Sequence, residues 1–353
     1  KIQYIDPQIE QYQAQLDNCD KEEEREQIEN TLSEREQQKN EYQNLRQQLQ
    51  ESGEQQISTT DPDARAVVLH RNIVNVGYNI QAVSDEKHKL LVALDTGTVN
   101  DTHCLAPMAL QTSELLGCSE MNVLADKGYH TGQQLSECAA NGITTFVSPK
   151  APAAPSDSGY PVTDFAYNPE TDTYTCPQGH PMHSNGKWYT HSNSRKGRTD
   201  SHKFRRFLTP ACKTCPVAME CTKSQKNGRA IDRSEYADVV EANNKRVTEN
   251  PDYYRKRQQI TEHMFGTLKR QMGFTHTLVR GKPKVLGEVS LMFTVYNLMR
   301  CGTILHVPEL LKKLKNNGLQ LIFDLKLRYS LLMALKKLNF YMGSHIKFYL
   351  QCA

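Results

Sequence analysis

Residues 121–147 read MNVLADKGYHTGQQLSECAANGITTFV. Met121–Ala125 is a short, almost wholly apolar run that stops at Asp126, the composition of a buried central strand. Gln133–Asn141 has helical spacing and ends at Gly142, and Ile143–Val147 is a second strand closed by Pro149. Upstream, Ile57–Thr60 leads into Asp61-Pro62-Asp63, Val74–Val83 partly alternates, and Lys89–Leu94 follows a turn at Asp85–His88. Three such runs with short turns predict an antiparallel meander, and a helix is expected over His103–Leu116. The order βββαβαβ predicts a mixed α/β sheet over 57–150.

The texture changes on both sides of this block. Residues 1–56 are rich in Gln and Glu, and they hold 14 acidic against 6 basic residues. Ile9, Tyr12, Leu16, Cys19, Ile28, Leu32, Tyr42, Leu45 and Leu49 recur at helical spacing, which predicts one or two long helices that Ser52-Gly53 ends. This arm reads as a solvated spacer or a dimerisation arm. Residues 151–234 carry Pro, Ser, Gly, Asn and clustered Cys and read as an inserted module poor in regular structure. Helical patterning resumes from Glu235 to about Gln271, broken at Asn250-Pro251, and again over Glu288–Arg300, giving a last block of 235–302. The tail, 303–353, sets 8 Lys and Arg against 2 acidic residues and reads as basic amphipathic helices.

The chain has 353 residues, enough for a sizeable core, and its formal net charge is only +3. That small total hides an arm of −8 and a body of +11, and a basic body suits a polyanionic partner. The longest apolar runs are interrupted by Lys and are too short for a bilayer, and no export leader is present, so a cytoplasmic protein without a membrane partner is expected. The first residue is Lys1, which points to a fragment or a processed product.

Two carboxylates stand beside strand-like runs, Asp61 after ISTT and Asp126 after NVLA, and Glu262 sits in a helical stretch loaded with cations. Three carboxylates from separate elements can share two hard divalent cations such as Mg²⁺ or Mn²⁺, which clamp the attacking and leaving oxygens of a phosphoryl displacement. Taken singly, the same residues read as turn residues and an ion-pair partner.

The strings ADKGYHTGQQL, VGYNIQAVSDEKHKLLVAL with NDTHCLAPM, and RQQITEHMFGTLKRQMG with LVRG and SLMFTVYNLMR resemble the DDE transposases of bacterial insertion sequences. The closer likeness is to the branch with a cysteine-containing insertion before the last catalytic residue, and it covers about Ile57 to Arg300. The resemblance implies a ribonuclease-H-like mixed sheet flanked by helices, with the inserted module and the N-terminal helical arm added to it. It also implies metal-dependent cleavage and strand transfer on double-stranded DNA, at transposon ends and target, by a homodimer assembled on DNA in the nucleoid.

The first aspartate of the triad then matches Asp61, with Asp63 as its rival, the second Asp126 and the glutamate Glu262. The family's tyrosine–arginine–glutamate–lysine signature falls on Tyr254, Arg257, Glu262 and Lys269, but the Arg-to-Glu spacing is one residue longer than the family's. On an ideal helix Lys269 shares a face with Glu262 and Arg257 does not. Lys127 reads as a DNA contact or a surface lysine, and the stretches 253–257, 269–270 and 280–284 offer Tyr254, Arg257, Lys269, Arg270, Arg280 and Lys282 to DNA. Asp85 and Asp101 are expected to be structural, with contact to the site as the other reading of Asp101. His263 reads as a supporting or packing residue, and Phe265, Leu268, Phe293 and Tyr296 as core. A DNA-binding remnant without chemistry remains the alternative.

Cys212-Lys-Thr-Cys215 is a two-thiolate knuckle, and Cys176 and Cys221 can complete four soft ligands for a structural Zn²⁺ in a zinc-ribbon-like module. His180 and His183 are substitute ligands, and four reduced, partly buried thiols are the other reading. Cys104, Cys118 and Cys138 read as packing residues.

Overall fold

The computed structural model describes residues 2–19, 21–52, 56–68, 74–97, 99–150, 159–191, 202–224 and 226–316; the tail beyond 316 lies outside the described residues. In chain order come α1 (Ile2–Asp17), α2 (Glu22–Ser52), β1 (Arg65–Val68), β2 (Val74–Gly77), β3 (Ile80–Ser84), β4 (Leu91–Thr96) and α3 (Leu105–Leu116). Then follow β5 (Met121–Ala125), α4 (Gly132–Ala140), β6 (Ile143–Val147), β7 (Ala166–Asn168), β8 (Thr173–Thr175), β9 (Pro181–Ser184), β10 (Tyr189–His191) and β11 (His202–Leu208). The last are α5 (Ala218–Cys221), β12 (Ile231–Ser234), α6 (Ala237–Glu249), α7 (Pro251–Gly266), α8 (Lys282–Leu305) and α9 (Val307–Asn316). The described residues form two compact units, Ile2–Ile80 with Gly266–Asn316, and Gln81–Phe265.

In the first unit α1 packs along α2, where Lys39 Nζ meets Asp6 Oδ1 at 2.8 Å. Glu22, Glu23 and Glu24 fill the first turn of α2, where the helix dipole favours acid. β1 pairs antiparallel with β2, Arg65 opposite Gly77. The strand therefore begins after Asp61-Pro62-Asp63, and Ile57–Thr60 is irregular, contrary to the sequence pattern. The cause is local: Asp63 N–H donates to Asp61 Oδ1 at 3.3 Å and Ala64 N–H to the Asp61 carbonyl at 3.0 Å, a turn that redirects the chain. The apolar stripe Val285, Val289, Phe293 and Tyr296 on α8 is buried, as are Leu268, Met272 and Phe274.

In the second unit β5 and β6 pair in parallel, Met121 opposite Ile143 and Ala125 opposite Val147, with α4 as the crossover. Leu135 and Cys138 of α4 are buried against Leu105, Ala106, Ala109, Tyr129 and Ile143. α6 closes the far side through Asn243, whose side chain donates to the Val147 carbonyl at 2.8 Å and accepts from Val147 N–H at 3.0 Å, as a neighbouring strand would. β3 pairs only with β4 among the described strands, so the expected continuous sheet is seen as separate two-stranded pieces. A cavity of about 200 Å³ lies between β3 and β5, lined also by α3 and by Tyr253, Arg257 and Ile260 of α7. Asn122, on β5, is exposed, so this strand is less buried than its apolar composition predicts.

The inserted module overturns the expectation of little regular structure. It is an antiparallel sheet of order β10-β11-β9-β8-β7, with β12 on β11. Phe165, Tyr174, Met182, Phe207 and Ile231 form its core. Arg233, 5% exposed, lies 3.6 Å from the Tyr167 ring centroid and bridges to Glu241 and Asp238 of α6. The strands are three to seven residues long, so periodicity had little length over which to appear.

Candidate active site

Asp126 stands at the carboxyl end of β5, the end of a parallel strand where α/β sheets place ligands. Its Oδ1 accepts from Lys127 N–H at 2.7 Å and caps the turn Lys127–Tyr129, while its Oδ2 lies 4.0 Å from Arg257 Nη1. Its side chain is 43% exposed, so the carboxylate keeps open lone pairs. The loop is anchored from below. Burial pushes the Tyr129 phenol well above its ordinary pKa, and that hydroxyl donates to Gln81 Oε1. Gln81 Nε2 in turn donates to buried Asp101 at 2.8 Å. Gly128 sits so near that a Cβ would lie 3.0 Å from Asp101 Oδ2, so a side chain there would press on that carboxylate. The periodicity does not reveal this network; its sequence signals are the polar Gln81 in a strand and the glycine of ADKGY.

α7 brings the cations. Pro251 opens the helix, a position that loses no hydrogen bond to proline. Tyr254 hydroxyl donates to the Ala125 carbonyl at 3.2 Å, and Arg257 lies on the same helix face, its Nε buried without a hydrogen-bond partner among the described residues. Lys256 meets Glu86 at 2.7 Å and fastens α7 to the β3–β4 turn. That turn is closed by Asp85, which accepts from His88 and Leu90 N–H at 2.6 Å each. Glu262 is exposed, and its Oε1 accepts from Gln258 at 2.7 Å. Five residues of helix turn Glu262 roughly 140° from Arg257. Lys127 is exposed, as is His263, while Phe265 is buried.

Asp61 belongs to the first unit, with Asp63 and the start of α8. It is 4% exposed and accepts from the Tyr78 hydroxyl at 2.5 Å and from Gly281 N–H at 3.4 Å. Gly281 N–H also donates to the Tyr78 oxygen at 2.9 Å, and Lys282 N–H donates to Asp63 Oδ2 at 2.8 Å. Both aspartates thus meet the N-terminal amides of α8, where a helix favours negative charge. Arg280 Nη1 donates to the Thr60 carbonyl at 3.2 Å. Beyond Gly266 the helix relaxes into a π turn, Thr267–Gln271. Arg270 is exposed, and Leu268, Phe293 and Tyr296 are buried. Among the described residues, no three His, Cys, Asp or Glu side chains stand together at metal-ligand spacing. The oxygen donors suit Mg²⁺ or Mn²⁺ in type.

In the inserted module Cys176, Cys212, Cys215 and Cys221 are all free thiols and line one small cavity with His180 and Arg229. Burial raises the Cys221 pKa, Arg229 opposes the rise, and the other three thiols add to it. His183 is exposed. Cys104 and Cys138 are buried, and burial pushes the Cys138 thiol up to about 12.

No helix among the described residues is long and apolar enough to cross a membrane. No curated protein and no solved structure matches the chain. Residues 175–301 match the family described as transposase DDE domain, a span that takes in the four clustered cysteines, α7 with Arg257 and Glu262, and most of α8.

Proposed function

We propose that this chain is the catalytic portion of a transposase that cuts and joins DNA with divalent cations held by Asp61, Asp126 and Glu262. The carrying observation is Asp126, half-open at a parallel strand's carboxyl end and faced by Arg257 of a helix inside the segment matched to the transposase DDE domain. Mg²⁺ or Mn²⁺ would supply the charge that stabilises phosphoryl transfer. The chain's own residues set the frame. Tyr129, Gln81 and Asp101 fix the loop behind Asp126, Arg257 orients its carboxylate, and the cations of Lys127, Lys269, Arg270, Arg280 and Lys282 meet phosphates. Glu262 must turn toward Asp126 and Asp61 must exchange its Tyr78 and Gly281 donors for this ligation. The reading includes a ribonuclease-H-like sheet, double-stranded DNA as substrate and a homodimer on it in the nucleoid.

The second reading, a DNA-binding protein without chemistry, is favoured by one observation: Asp61 is buried and already bonded, as a purely structural helix cap would be. The experiment is Mg²⁺- or Mn²⁺-dependent nicking of DNA carrying the element's ends. The catalytic reading expects nicking by the natural chain and its loss in Asp126→Ala; equal nicking by both overturns it.

A further inference from the structure

The module's own core is small. Among the described residues one cluster of five buried side chains, Phe165, Tyr174, Met182, Phe207 and Ile231, supports a sheet of six short strands. Domains of this size with so little core are usually held by a metal or by disulfides. The four thiols on the cavity come from three places: the turn after β8 (Cys176), the turn Pro210–Lys213 and its exit (Cys212 and Cys215), and α5 (Cys221).

Backbone bonds shape these places, and Cys176 and Cys221 also pack against the core. Gly179 N–H donates to the Cys176 carbonyl at 2.8 Å, and Cys176 N–H to the His180 carbonyl at 3.0 Å, which folds the chain tightly around Cys176. Ala218 N–H donates to the Cys215 carbonyl at 3.2 Å. Gly228, at φ +70°, lies so close behind Cys212 that a Cβ would come 2.7 Å from its Cβ. The cavity measures about 30 Å³, room for one small occupant.

Arg229 supplies an independent observation. Its Nη groups donate to the Cys221 and Tyr160 carbonyls at 3.4 Å, yet its Nε is buried with no hydrogen-bond partner among the described residues. A buried N–H left over on a cavity that four thiols also line calls for an acceptor. Thiolates are such acceptors. Four of them around one Zn²⁺ carry a net charge of −2, which a guanidinium at the rim offsets.

We propose that Cys176, Cys212, Cys215 and Cys221 bind one structural Zn²⁺ that staples the inserted module, with Arg229 donating its Nε–H to a zinc-bound sulfur. Binding releases four thiol protons to solvent and closes the sulfurs, now short of ligand spacing, onto the ion. His180 lies on the rim and is not a ligand. The site does not depend on the nuclease reading, since its readouts are metal and fold rather than DNA cleavage.

The test uses the full chain purified without chelator from zinc-supplemented growth. About one zinc per chain is expected. Replacement by Co²⁺ should give thiolate-to-cobalt charge-transfer absorption and the strong visible bands of a tetrahedral ion. Zinc should be lost in Cys212→Ser with Cys215→Ser, held more weakly in Gly228→Ala, and kept in Cys118→Ser. Zinc below about a tenth of an equivalent together with a cobalt spectrum lacking charge-transfer bands overturns the proposal. So does full zinc in the Cys212→Ser, Cys215→Ser protein. If that variant fails to fold, the natural chain's zinc content and cobalt spectrum decide.

Discussion

At the scale of single residues, the account rests on carboxylates held by identified partners. Asp61 depends on Tyr78, whose phenol burial and the nearby carboxylates push above its ordinary value of 10.0. The folded state therefore favours the neutral phenol. Its contribution is fully present below pH 10 and is lost as pH rises, because the unfolded tyrosine deprotonates first. Tyr78→Phe leaves a buried carboxylate short of one donor and should cost about 1–3 kcal/mol in denaturant unfolding at neutral pH. The same variant should also flatten the alkaline fall in stability. Arg257→Ala removes the cation facing Asp126 and should lower nicking by about 10–100-fold, with no matching loss in thermal stability. Sequence spacing left Arg257 in doubt because it assumed that Arg257 and Glu262 serve one face. The structure puts Arg257 beside Asp126 and Glu262 in solvent.

At the scale of elements, the unit β5–α4–β6 could be read almost residue for residue. Its apolar runs are continuous, and Asp126, Gly142 and Pro149 punctuate them. Other elements were hidden by contacts distant in sequence. The run Val74–Val83 splits at Tyr78-Asn79 because β2 pairs with β1 and β3 with β4. The inserted sheet joins β11 to β9, β10 and β12. Nothing in the pattern of so short a strand names its partners. Asn243 is the clearest miss with a legible signal: a fully buried polar residue on the apolar side of α6, near Val239 and Val240. Asn243→Leu strands both backbone groups of Val147 and should cost about 2–4 kcal/mol, read from thermal or urea unfolding.

At the scale of the whole molecule, charge divides the chain into an acidic arm and a basic remainder. DNA affinity should fall steeply with salt, and Arg280→Ala with Lys282→Ala should reduce the slope of log K against log salt by about 1–2. An unchanged slope would remove both residues from the DNA surface. The central claim of the proposal is that Asp61, Asp126 and Glu262 hold one cation pair. Anomalous diffraction from crystals of the full chain with Mn²⁺ and end-bearing DNA tests it directly. The account predicts manganese bound by Asp61, Asp126 and Glu262 together; manganese held elsewhere, with Asp61 still capping α8 beneath Tyr78, would contradict it.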